Sequence, residues 1–364
     1  HPKYADSEMA PFTIYNHGFL KEERREIKRL AARDCRTHVM HAQGPVNNFE
    51  PLLGIPSPWL AHEKLAAMRA GGATHLAHFG GMAPPASVPF DVNRELFRRF
   101  LFAPKQDVDT ALRQVAADWI DAAHADELVA TWRDVDEAIR AFMPNPLYFC
   151  WGVWYRILVR PLVPDIEAIP ERERAYYERH LLTTHHNPTR VDLSRDVLFD
   201  LMSPALAAKA ARRIDGRALP RLAKARARLE RLREALGDGS HVVADLADRL
   251  AALTCWMTTR RSVAIWIADV HGYLESSDAK TRRACRERLK EMVKAEIENA
   301  RTLLDLWNRS PIDFMAVSED EETTFIYDER FGRHLKAKIR LMERYGDREP
   351  RIDEDLMWRV QGLA

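Results

Sequence analysis

The 364-residue sequence predicts a mixed fold: an α/β region, read as a partial or incomplete (β/α) barrel, followed by a large all-α domain, so that the chain is predominantly helical. Three observations carry this. A short apolar-rich run from Thr37 that ends in polar residues up to Glu50, and a second run Thr74–Gly81, flank a helical stretch, which is the pattern of one βαβ step. Beyond about Asn93 the strand signal disappears. Apolar residues then recur at helical spacing nearly to the end.

Taken in order, Pro11–Gly18 is a β-prone run stopped by glycine, and Lys21–Arg33 reads as a helix with Ile27 and Leu30 inward. The βαβ step follows, its helix at about His62–Arg69 closed by Gly71-Gly72. Asp91 stands before a helix over 93–102. Asp107 caps a helix whose stripe is Val108, Leu112, Val115, Ala116, Trp119 and Ile120. Another helix spans Ala125–Phe142 and stops before Pro144-Asn145-Pro146. An aromatic stretch, 147–159, leads through spaced prolines to a helix over 171–182, and Thr183–Pro188 reads as a loop.

Three long helices come next: Pro220–Leu236 with Leu222, Ala225, Leu229, Leu232 and Leu236 in a stripe, His241–Leu274, and Asp278–Trp307. Short Gly or Ser turns join them into an expected antiparallel bundle. Phe331–Tyr345 and 352–360 close the chain as helices. The implied organisation is an α/β region 1–92, a helical region 93–215 holding the aromatic segment, a three-helix bundle 216–310 and a helical tail 311–364. The leucine stripe makes a homodimer through the bundle one expectation.

Composition narrows the function. Charged residues are 30% and apolar residues 46%, with a formal net charge of +1. That balance gives no electrostatic case for nucleic acid, and the basic run 212–233 reads as a solvated helix face. Cys35, Cys150, Cys255 and Cys285 are far apart without CxxC, so a zinc ribbon or disulfide framework is not indicated. No stretch is apolar enough to span a bilayer, and no membrane role is expected. The chain begins His1-Pro2-Lys3 without a signal-like segment, which points to a trimmed, processed or domain-cut product. The expected location is periplasmic or extracellular if an upstream signal was removed, and cytoplasmic otherwise. GxGxxG, GxxxxGK[ST], GxSxG and HExxH do not occur, which leaves the common nucleotide, hydrolase-elbow and zinc-protease readings without support.

In parallel α/β folds ligands sit past the carboxyl ends of strands. There the sequence places Gln43, Asn47, Asn48 and Glu50 after the first run and His78 at the end of the second. Amides and a carboxylate of this kind bind sugar hydroxyls, and Glu50 can serve as acid, base or nucleophile. Asp91 follows the last strand and is the second candidate carboxylate; it is equally a helix N-cap. The bland alternative makes Asn47 and Asn48 a turn and Glu50 solvated. His38, His41, His75 and His78 alternate in facing, so no metal site is expected from them. In the aromatic stretch Trp151, Trp154 and Tyr155 offer a stacking wall and Arg156 a partner for an acidic sugar, against the reading that they are core aromatics.

With the polar run 43–50, the strand 74–81, Phe90–Phe97 and the aromatic helical extension in view, the chain resembles the C-terminal part of a bacterial glycoside hydrolase of the barrel-plus-helical-domain kind. The α-glucuronidases and β-hexosaminidase-like enzymes are the families it looks like. The resemblance implies a (β/α)8 catalytic barrel, a pair of acidic catalytic residues, a carbohydrate substrate holding a uronic or amino sugar, and no cofactor. The earlier barrel strands do not appear in this sequence. The rival expectation is a non-catalytic carbohydrate-binding or helical scaffold module.

Overall fold

The structure is a computed structural model that describes residues 21–42, 51–79, 86–142, 157–178, 203–237, 239–317 and 327–352. It is predominantly helical. The elements are α1 (Lys21–Ala31), β1 (His38–Ala42), α2 (Pro58–Ala70), β2 (His75–Phe79), α3 (Val92–Phe102), α4 (Val108–Trp119), α5 (Ala125–Phe142), α6 (Glu171–Glu178) and α7 (Pro204–Arg213). A π turn over Ile214–Ala218 leads into α8 (Leu219–Leu236). Helices α9 (His241–Glu275), α10 (Ala279–Arg309) and α11 (Phe331–Tyr345) complete the order.

The βαβ step is present: β1 and β2 pair in parallel with His38 opposite His75 and His41 opposite His78. Helix α2 between them ends as its sequence dictates. Gly72 takes φ +95, and the Gly72 and Ala73 amides donate to the Arg69 and Met68 carbonyls, closing the last turn. Among the described residues the sheet consists of these two strands, and a barrel is not shown. After β2 the described elements are helical, and the β-prone run 11–18 lies outside the described residues.

α1 turns Ile27 inward as expected, while Leu30 is half-buried. The α2 helix begins at Pro58, four residues before the apolar spacing announced it. Its first turn is covered rather than solvated: Pro58, Trp59, Leu60 and Ala61 are all buried. Ser57 makes no side-chain cap, and the Leu60 amide is met by Asp136 of α5 at 3.1 Å instead. A carboxylate at a helix N-terminus satisfies an orphan donor and complements the dipole.

The core is organised around α9. Its buried residues occur on every side of the helix, so it lies inside the molecule rather than on one face. It packs most extensively on α10 and also on α7, and α10 in turn carries α11. The α8 stripe Leu222, Ala225, Leu229 and Leu232 is buried as the spacing predicts, but α5 covers more of it than α9 does. The expected three-helix bundle is therefore one part of a larger helical assembly, and the leucine stripe is spent within the chain. Helical backbone also runs unbroken from Pro204 to Leu236. At the π turn the Leu219 amide donates to Ile214, five residues back, which lets Pro220 sit inside a continuing helix.

Candidate active-site region at the α/β–helical junction

Past the two strands, the described chain resumes at Pro51 and Ala86, and both segments are stitched to the helical part. Backbone bonds run from Leu53 N–H to Phe314 O (2.9 Å) and from Ala316 N–H to Pro51 O (2.8 Å), with Leu52 bridged antiparallel to Met315. Asn93 in the first turn of α3 clamps the first segment: its amide group donates to Ile55 O at 2.7 Å and accepts from the Ser57 N–H at 2.8 Å. Phe90 packs edge-on against Trp119, which packs edge-on against Trp132.

Arg249 of α9 lies at the centre of this junction and is fully buried. Its guanidinium makes a two-pronged pair with Asp245 one turn earlier (2.7 and 2.9 Å). It also donates to Leu53 O (2.9 Å), Asp313 O (3.1 Å) and Ser87 O (2.7 Å). One side chain therefore supplies donors to the carbonyls of three irregular segments, two of which are also joined by the short Leu52–Met315 bridge. Gly54 passes close beneath it at φ +68, where an added Cβ would meet Val88 Cγ1 at 2.7 Å and Arg249 Nε at 2.9 Å. Only glycine fits both the angle and the approach.

Asp91 is placed at this junction as the N-cap of α3. Its Oδ1 accepts from the Asn93 and Arg94 amides at 3.0 and 3.1 Å. Burial pushes its carboxyl above the usual range, against the pull of those amides and of the Arg94 and Arg249 charges. A carboxyl raised by its surroundings suits an acid that must carry a proton, and it equally results from a buried cap. On α2, burial pushes the Lys64 ammonium down to about 8.

His78 lies on β2, opposite His41 in the parallel register. His38 and His75 are stacked with ring centroids 4.7 Å apart. Among the described residues no three His, Cys, Asp or Glu side chains converge in a metal-holding group. Gln43, Asn47, Asn48 and Glu50, and Trp151, Trp154, Tyr155 and Arg156, lie outside the described residues. The junction thus gathers Asp91 and the residue next to Glu50, Pro51, onto one framework. Sequence reasoning missed Arg249, Asp245 and Asn93. The signal for two of them was present: Asp245 and Arg249 are four apart in a helix whose neighbouring positions are largely apolar.

No protein-family model matches the chain, and no curated protein matches it. Among solved structures, its fold is similar to a portion of a carbohydrate-active enzyme. That structure is of a GH138 enzyme targeting pectin rhamnogalacturonan II, with a TM-score of 0.55 and 11% sequence identity over 94% of this chain and 41% of that one. The chain spans about two fifths of that enzyme's length, and at this identity the likeness is one of fold. No described helix is long and apolar enough to cross a membrane.

Proposed function

We propose that this chain belongs to a glycoside hydrolase acting on an oligosaccharide that contains a uronic or amino sugar, by carboxylate acid/base chemistry at the junction of its α/β and helical parts. The observation that carries the proposal is the fold likeness to a pectin-targeting enzyme, which extends over 94% of this chain. The framework around Arg249 is consistent with it: that side chain ties the loop between β1 and α2, at Leu53, to the segment after β2, at Ser87. In this reading β1 and β2 belong to a (β/α) barrel. Glu50 and Asp91 are the carboxylates, with Asp91, its carboxyl raised by burial, suited to the acid. Gln43, Asn47, Asn48 and His78 orient hydroxyls, Trp151, Trp154 and Tyr155 stack against the sugar rings, and Arg156 holds an acidic group.

A second reading has its own observation. Asp91 Oδ1 already accepts two backbone amides, which is sufficient reason for an aspartate there in a purely structural helical module. Incubating the protein with pectic and amino-sugar oligosaccharides, following reducing ends and measuring binding by calorimetry, separates the two. Turnover supports the hydrolase; binding without turnover across the whole panel supports the module and overturns the hydrolase.

A further inference from the structure

The cations of the helical run from α7 to α8 divide into two groups. On α8, Lys224 pairs with Asp134 at 2.8 Å, Arg228 with Asp134 and Glu127, and Arg231 with Glu127, while Arg221 pairs with Glu137. All of those carboxylates come from α5, and Arg233 pairs with Glu230, so most of this half of the run is neutralised within the fold; Arg226 is exposed with no carboxylate partner among the described residues. On α7 and the π turn, Lys209, Arg212 and Arg217 are exposed and have no carboxylate partner among the described residues. Arg213 beside them is half-buried, and its Nε is shielded from solvent without a hydrogen-bond acceptor among those residues. The acid inside the stretch, Asp215, is engaged by Arg261 of α9 at 2.5 Å.

Spacing puts these cations together. The inward residues of α7 and the π turn are Ala207, Ala211, Ile214 and Ala218. Lys209 and Arg212 fall on the opposite, outward face, and Arg217 continues it through the widened turn. From 209 to 217 the ridge is about 12 Å long at the helical rise, enough to run beside a short oligosaccharide. Between Arg212 and Arg217 stands Gly216, where an added Cβ would meet nothing within 4 Å. The crest of the turn is therefore bare backbone that a flat ring can approach closely.

We propose that this ridge is a docking surface for a carboxylate-bearing polysaccharide, held outside the α/β–helical junction. The occupant follows from charge complementarity: guanidiniums bind carboxylates through paired N–H groups, and a polyuronate repeats carboxylates along a semi-rigid chain. The identification of the polyanion as a saccharide rests on the hydrolase reading; the exposed cations do not.

The test is affinity electrophoresis and calorimetry of the full chain with polygalacturonate, a neutral galactan, and a single-stranded RNA of matched charge. The triple variant K209S/R212S/R217S is expected to bind polygalacturonate about tenfold more weakly, as the loss of three exposed charge contacts implies. The charge-conserving K209R/R212K/R217K, which keeps the charge but loses two guanidiniums, is expected to bind between the parent and the serine variant. K280S/R283S/K336S, which removes the same charge from exposed residues elsewhere, is expected to leave binding unchanged. Melting curves establish that each variant is folded. Unchanged binding by K209S/R212S/R217S, an equal loss in the K280S/R283S/K336S control, or RNA binding as tight as polygalacturonate binding would each overturn the proposal. Hydrolysis is read separately, so a protein that docks polygalacturonate and cleaves nothing refutes the hydrolase reading and leaves the ridge standing.

Discussion

Two buried charge pairs in this molecule have similar chemistry and different duties. In the helical core Lys338 of α11 and Glu296 of α10 are both fully buried, 2.5 Å apart, with Thr259 donating to the same carboxylate and Lys338 also reaching Leu158 O. Their hosts, α9, α10 and α11, are regular helices that satisfy their own backbone. At the junction Arg249 and Asp245 are as deeply buried, but the guanidinium is the partner of three loop carbonyls. Replacing a buried pair by apolar groups of similar volume is often neutral, provided little else depended on it. The core pair comes close to that proviso and the junction pair does not. Irregular backbone next to a candidate site is held here by a side chain together with one short bridge, Leu52 to Met315, rather than by an extended ladder.

The comparison is most directly broken at Arg249. R249M is expected to cost about 4–5 kcal/mol, from a stranded Asp245 and three unmet carbonyls. The paired change D245L/R249M should recover little of it by urea denaturation, and recovery to near the parent would remove the distinction. K338M should cost about 3–4 kcal/mol through the uncompensated Glu296, and E296L/K338M should regain most of that. Hydrogen exchange sharpens the contrast: R249M should deprotect 51–56 and 86–90 first, whereas K338M should loosen α10 and α11.

Smaller effects probe the same junction. G54A, forced to keep φ +68 against Val88 and Arg249, should cost about 2 kcal/mol in chemical denaturation. D91A should cost about 1 kcal/mol, and D91N little, if the carboxyl serves α3 only as a cap. Asp91 also predicts a sign. Because its folded pKa is raised, the folded chain holds the proton longer than the unfolded chain does. Its contribution is most favourable below the ordinary aspartate range and declines as pH rises to the raised value; D91N should remove that slope. Asp278, capping α10, is held low by its bonds to Thr281, so its contribution is present above the ordinary range and fades as pH falls through the lowered value. D278A should flatten that acid limb, the smallest of these changes.

Local signals carried much of the fold. α5 and α11 run over the residues their periodicity and stop signals mark, and Asp91, Asp107 and Asp278 cap the helices that begin just after them. Where sequence reasoning fell short, the determinant was remote. The start of α2 is met by Asp136, far along the chain, and although Pro58 stands at the first turn, residues 58–61 offer no polar face to reveal a helix. Pro220 imitates a helix start because a π turn, invisible to 3.6-residue counting, precedes it. In the candidate site Asp91 was legible as both carboxylate and cap. The Asp245–Arg249 pair was legible as an i,i+4 match, but its carbonyl targets lie on segments far apart in sequence, which no local pattern records.

The central proposal is that the carboxylates of Glu50 and Asp91 cleave a saccharide. The direct measurement is reducing-end release from pectic oligosaccharides by the parent chain and by E50Q, with melting curves recorded on both. The account predicts release by the parent and its loss in E50Q, by about 100-fold or more, with the melting temperature unchanged. Full activity in folded E50Q, or no release by the parent from any oligosaccharide of the panel, would contradict it.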